Sequence, residues 1–214
     1  MMTFLFVLFL WIFSVCLHEF AHAAVAYRGG DHTVRDKGYL SLNPMNYLHP
    51  VNSVLFPVLI LIMGGIGLPG AAVYIERHRL RSREWESAVS LAGPAANLIL
   101  LAVLALAFKV PGVASHPIAP ALAFLGLLQA SAILINLLPI PGLDGYGAIS
   151  PYLPPALRAK MDQFAAYGIL ILLGITLFGP TARILFGLVY LLTSLFGIPG
   201  WLIGIGYDQF TFWK

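Results

Sequence analysis

The sequence predicts an all-α polytopic membrane protein with about five transmembrane helices, a re-entrant segment at 51–75 and a small β-hairpin near 33–42. Three observations carry that prediction. Of 214 residues, 59% are hydrophobic and only 10% charged, whereas soluble domains are about a quarter charged. The apolar residues fall in runs long enough to cross a hydrocarbon core of about 30 Å. The 12 Lys and Arg sit between those runs or at their ends. No hydrophilic block is long enough to fold as a separate soluble domain. The net charge of +3 does not argue for nucleic acid, because the basic residues flank membrane runs, where they set orientation. Cys16 is the only cysteine, which excludes an internal disulfide and a thiolate metal cluster.

The first span is 4–26. It lacks a basic n-region and ends in Tyr27-Arg28 rather than a cleavage site, so a mature span is expected. In the polar segment that follows, 33–42 reads as a hairpin with Asp36-Lys37-Gly38 at its turn. The apolar stretch 51–75 is long enough to cross, yet Pro57, Gly64-Gly65, Gly67 and Pro69-Gly70 would break a helix inside the membrane. It is either one poor span or a re-entrant hairpin. Beyond the charged run from Glu76 to Glu84 come spans 87–108 and 118–138. A closing pair, 164–178 and 183–205, turns at Gly179-Pro180. Tyr207, Phe210, Phe212, Trp213 and Lys214 read as an interfacial aromatic anchor. The chain thus divides into a membrane core at 1–145, and a cytoplasmic loop with an accessory helical pair at 146–214.

Charge decides the topology of 51–75. If it is re-entrant, Arg28, Arg35, Lys37, Arg77, Arg79, Arg81, Arg83, Arg158, Lys160 and Lys214 share one face, with only Lys109 and Arg183 opposite. A full crossing would set Arg28, Arg35, Lys37, Lys109 and Arg183 against the remaining seven. The positive-inside rule favours the strong asymmetry, with the ten-residue side cytoplasmic.

Within the first span lies His18-Glu19-Phe20-Ala21-His22. On a helix the two histidines are one turn apart on one face, with Glu19 about 100° round from His18. This H-E-x-x-H spacing offers two imidazoles to Zn²⁺ with a carboxylate beside the ion. The alternative is a hydrogen-bonded histidine pair in a bundle. A charged side chain mid-membrane costs roughly 2.5–3.5 kcal/mol, so such residues have partners and a task. A catalytic zinc takes three protein ligands and leaves one position open. Asp144 is the acidic residue in an apolar, structured setting: Pro139 and Pro141 end the preceding span and let the chain turn back toward the bundle. His18 and His22 lie roughly 12 and 6 Å in from the end of the first span, by 1.5 Å per residue. Asp144 emerges on that face only if 51–75 is re-entrant, so metal geometry and charge asymmetry select the same topology.

Three stretches together, His18-Glu19-x-x-His22, Ala92-Gly93-Pro94-Ala95-Ala96-Asn97 and Asn136-x-x-Pro139-x-Pro141-x-Leu143-Asp144-Gly145, resemble the signatures of the site-2 protease family of intramembrane zinc metalloproteases. The segment from Gly30 to Pro44 is similar to its compact prokaryotic branch without PDZ or CBS domains. That branch shows a His and an Asp after the Asn-Pro step, where this chain has Tyr47 and His49. The resemblance implies His18, His22 and Asp144 as zinc ligands, Glu19 as general base, and hydrolysis of peptide bonds in membrane-spanning substrates. Asn136 is a candidate oxyanion donor or, equally, an interhelical hydrogen-bonding group. Asn97 is assigned to helix packing across a small-residue interface. The hairpin 33–42 would hold substrate extended by β-augmentation, or be an ordinary solvated turn. Expected partners are single-span membrane proteins and the lipid bilayer, not nucleic acid. The expected location is a prokaryotic plasma membrane, with the active site near the cytoplasmic face. A membrane metal carrier and a catalytically inactive scaffold are the alternative readings.

Overall fold

The structure, a computed structural model, describes residues 2–46 and 73–213. Helix α1 (Met2–Gly29) buries one stripe, Val7, Trp11, Ser14, His18, His22 and Ala26, at the three-to-four-residue spacing of a single helix face. Met2, Leu5, Phe9 and Phe13 lie outside that stripe and are exposed, as lipid-facing positions of a span should be. The helix runs three residues past the expected end at Ala26, so both histidines lie roughly 4.5 Å farther from its C-terminus than expected.

Residues 33–42 do not form a hairpin, and no strand occurs among the described residues. Thr33–Asp36 is instead a single helical turn, α2. The reason is local: the buried Asp31 carboxylate accepts the Thr33 N–H at 3.1 Å and its hydroxyl at 2.6 Å, and so starts a turn. Lys37 and Tyr39 then donate their N–H groups back to Thr33 and Val34, spending the backbone groups a ladder would need. Val34 fills a small cluster with Ala23, Ala26 and Val89.

Most of 51–75, including the proposed re-entrant turn, lies outside the described residues. Its tail at 73–76 is irregular and returns across the end of α1. Asp31 Oδ2 accepts the Glu76 N–H at 2.8 Å, and Gly29 O accepts the Arg81 N–H at 2.9 Å. Glu76 is gripped by Arg79 and Lys37, whose hydrogen bonds hold its carboxyl down at about 2. The contribution of this clasp is fully present above about pH 4.5 and is lost as pH falls through about 2.

Helix α3 (Arg83–Ala107) packs along α1 and buries Val89, Ser90, Gly93, Pro94, Asn97 and Leu101. Pro94 withholds one N–H from the helical ladder, a loss that neighbouring elements make tolerable in membrane helices. Helix α4 (Ala119–Asn136) is the central element, its exposed surface almost entirely covered by α1, α3 and the C-terminal helices. Pro139 and Pro141 follow it, and the chain re-enters helix at α5 (Asp144–Ile149).

Next come α6 (Pro155–Asp162), α7 (Gly168–Leu177) and α8 (Gly179–Leu195). The expected span 183–205 is not continuous. It breaks at Phe196 to Pro199, and α9 (Gly200–Phe210) leaves at 119° to α8. Gly197, at φ 72°, turns the chain through the left-handed region, and Pro199 cannot continue a helix. Among the described residues three helices, α1, α3 and α4, are individually long and apolar enough to cross a membrane, rising to five if each bent pair is one span.

The principal core joins Val7 and Trp11 of α1 and Leu101 of α3 to Phe124 and Leu128 of α4 and Ile203 of α9. Phe210 belongs to it and not to an interfacial anchor: it is 1% exposed, with ring centroids 5.1 Å from both Phe4 and Phe124. Phe212 alone of the two phenylalanines at this end stays exposed. Lipid tails are as apolar as these side chains, so close packing rather than transfer from water holds the bundle together.

Candidate metal centre

The centre is assembled where the three long helices pack together. His18 and His22 come from α1, their outer ring nitrogens are held from α3, and the carboxylate arrives from the break after α4. His22 Nδ1 donates to the Val89 carbonyl at 2.6 Å, and His18 Nδ1 meets Asn97 Oδ1 at 2.5 Å. The Asn97 amide nitrogen in turn donates to Gln129 Oε1 on α4 at 2.6 Å. Each Nδ1 therefore carries a proton, which in the neutral ring leaves each Nε2 with a lone pair pointing inward.

The two Nε2 atoms are 3.0 Å apart, and Asp144 brings Oδ2 to 3.2 Å from one and Oδ1 to 3.4 Å from the other. With the imidazoles neutral, these are lone-pair contacts. Asp144 Oδ2 is buried without a hydrogen-bond partner. Three electron-rich groups converging without a proton between them repel, and a cation resolves the repulsion. Spacing supports zinc in particular: bonds of roughly 2.0–2.1 Å in a tetrahedron separate ligand atoms by roughly 3.3 Å, matching the observed spread. Among the described residues, His18, His22 and Asp144 form the one group of three or more potential ligands, all within 4.8 Å of one another. The donor set fits zinc.

What aims Asp144 is the packing of α5. The Ser87 hydroxyl donates to the Ala148 carbonyl at 2.6 Å, tying α5 to α3. The Tyr146 hydroxyl donates to Asp162 Oδ1 at 2.6 Å, and Arg158 pairs with Glu86 at 2.9 Å, so α6 braces the same corner. Burial and the Asp162 carboxylate push the Tyr146 phenol up to about 12, which keeps it a donor.

Glu19 and Asn136 line one cavity of about 340 Å³ with His18, His22 and Asp144. Glu19 is 4% exposed, and its Oε2 accepts the Val73 N–H at 3.0 Å. All five site residues expected from the sequence therefore meet in one place. Two contributors were not expected. Asn97, assigned to packing, hydrogen-bonds His18 directly, and Gln129 was not singled out. The available signal was an amide side chain within an otherwise apolar span, which in a membrane calls for a partner.

Fold and site together define a helical membrane protein with a two-histidine, one-aspartate centre of the zinc-protease type. Among known proteins, the chain is 44% identical over 205 residues to Rip2 of Mycolicibacterium smegmatis, provisionally designated a zinc metalloprotease, covering 95% of this chain and 79% of the relative. Rip2 of Mycobacterium tuberculosis strain H37Rv, designated alike, is 42% identical over the same shares. YwhC of Bacillus subtilis, also so designated, is 36% identical over 170 residues, or 76% of this chain and 75% of YwhC. The chain belongs to the site-2 protease family. No family model matches it, and no solved structure does.

Proposed function

We propose that this protein is a zinc endopeptidase that hydrolyses peptide bonds of single-span membrane proteins, within or at the edge of the bilayer, as a step of regulated intramembrane proteolysis. The observation that carries this reading is the convergence of His18, His22 and Asp144 on the cavity that Glu19 lines, inside a bundle of membrane-length helices. His18, His22 and Asp144 would hold the zinc, which when bound would acidify a water molecule and polarise a peptide carbonyl. Glu19 takes the proton of the attacking water on its carboxylate and delivers it to the leaving amine. Asn136 donates an amide N–H to the oxygen on which charge develops, a bond worth more in a dry cavity than in water. Its share of the same cavity wall supports that role. The substrate must be unwound locally, because a helix hides its amides in its own hydrogen bonds.

The reading makes zinc essential. Removing it from the purified protein with a chelator should abolish cleavage of a co-reconstituted single-span substrate, and about one zinc per chain should restore it. Cleavage that continues without metal would end the proposal. A metal carrier would need ligands spread along its path, and the described residues offer one cluster.

The strong bias of Arg and Lys supports a cytoplasmic site in a prokaryotic plasma membrane. Ser82 and Ser115 are exposed at opposite ends of α3, and Cys16 is buried. In intact cells, a cysteine introduced at Ser115 should react with an impermeant maleimide, and one at Ser82 only after permeabilisation. The reverse pattern would place the site on the outer side.

A further inference from the structure

His18 and His22 are oriented by different kinds of acceptor. The Val89 carbonyl can only accept, so it fixes the His22 proton on Nδ1 unaided. Asn97 carries an acceptor and a donor on two nearly isosteric ends. Only with Oδ1 toward His18 does the ring keep its proton on Nδ1 and its Nε2 lone pair facing Asp144. That orientation turns the Asn97 NH₂ away from the site, toward α4. There Gln129 Oε1 receives it at 2.6 Å, from a side chain only 1% exposed. Without that acceptor, every arrangement in which Asn97 serves His18 leaves a buried N–H unpaired, and the flipped amide competes.

We propose that Gln129 is a positioning residue of the metal centre, which by receiving the Asn97 amide fixes the ring nitrogen that His18 presents to zinc. This rests on the reading of His18, His22 and Asp144 as zinc ligands. Outer partners of metal-bound histidines act in this way through ligand orientation and basicity.

The experiment measures zinc affinity by chelator competition and the absorption bands of the Co²⁺-substituted protein. Gln129→Leu should weaken zinc roughly 10–100-fold and shift the cobalt bands, while Gln129→Glu, which retains an acceptor, should stay near the unmodified protein. The decisive step repeats Gln129→Leu in an Asn97→Asp background. A carboxylate offers His18 an oxygen in either rotamer, so the same substitution should now change affinity less than about threefold. A role in packing alone would cost as much in both backgrounds. Unchanged affinity and bands in Gln129→Leu, equal losses in the two backgrounds, or a loss in Gln129→Glu matching Gln129→Leu would each overturn the proposal. If the unmodified protein binds no zinc, the ligand assignment itself fails, and the role of Gln129 with it.

Discussion

Glu19→Gln is expected to lower peptide cleavage roughly 10²–10⁴-fold while leaving one zinc per chain, the magnitude general acid–base catalysis supplies. At 1.36 kcal/mol per tenfold, that is about 3–5 kcal/mol of barrier. The substitution is nearly isosteric. A glutamine carbonyl still accepts the Val73 N–H that Glu19 Oε2 receives at 3.0 Å, so the cavity wall keeps its shape. What is lost is the group that accepts a proton. Metal content, measured beside turnover of a reconstituted substrate, separates this from damage to the centre. Full activity in Glu19→Gln would remove Glu19 as the base, whereas joint loss of zinc and activity would make it structural.

Gly93→Ala should do the opposite, emptying the centre of metal. A β-carbon built on Gly93 runs into the Nε2 atoms of both His18 and His22. The rings are pinned from behind by Asn97 and Val89, so they cannot retreat without giving up those bonds. Zinc content should fall below roughly a tenth of an equivalent and cleavage should fall with it, as expected when a ligand atom is obstructed. Thermal unfolding of the metal-free protein should also come at a lower temperature, because the displaced rings give up buried hydrogen bonds worth about 1–3 kcal/mol each, more than the about 1 kcal/mol by which alanine favours a helix over glycine. Normal zinc stoichiometry in Gly93→Ala would mean that the rings adapt and that the tight approach of α3 is not what shapes the centre.

The parts of this molecule legible in the sequence are those governed by local spacing. His18 and His22 share a helix face by arithmetic alone, and the run 118–138 announces α4 to within two residues at each end. Asp144 could be read because prolines on either side of Ile140 force a return toward the bundle. What the chain did not disclose depends on competition between local and distant contacts. Turn-forming Asp36-Lys37-Gly38 suggested a hairpin, but Asp31 captures Thr33 first and winds the segment into α2. Averaged hydropathy ran straight through Gly197 and Pro199, although those two residues end one helix and redirect the next. Asn97 and Gln129 were invisible as a pair because nothing in one chain's order says that α3 and α4 face each other there.

The enclosure of α4 also governs how the protein can vary. Its membrane-length window is 83% buried, against 33% for α1 and 44% for α3. On those outer helices an acyl chain can flow into the space left by a shortened side chain at Phe9 or Leu106. No lipid reaches Leu128 or Ile133, so a void opened there stays empty and its cost falls on the protein alone. Sequence drift is therefore cheapest at the annulus and, among the described membrane-length helices, most constrained along α4.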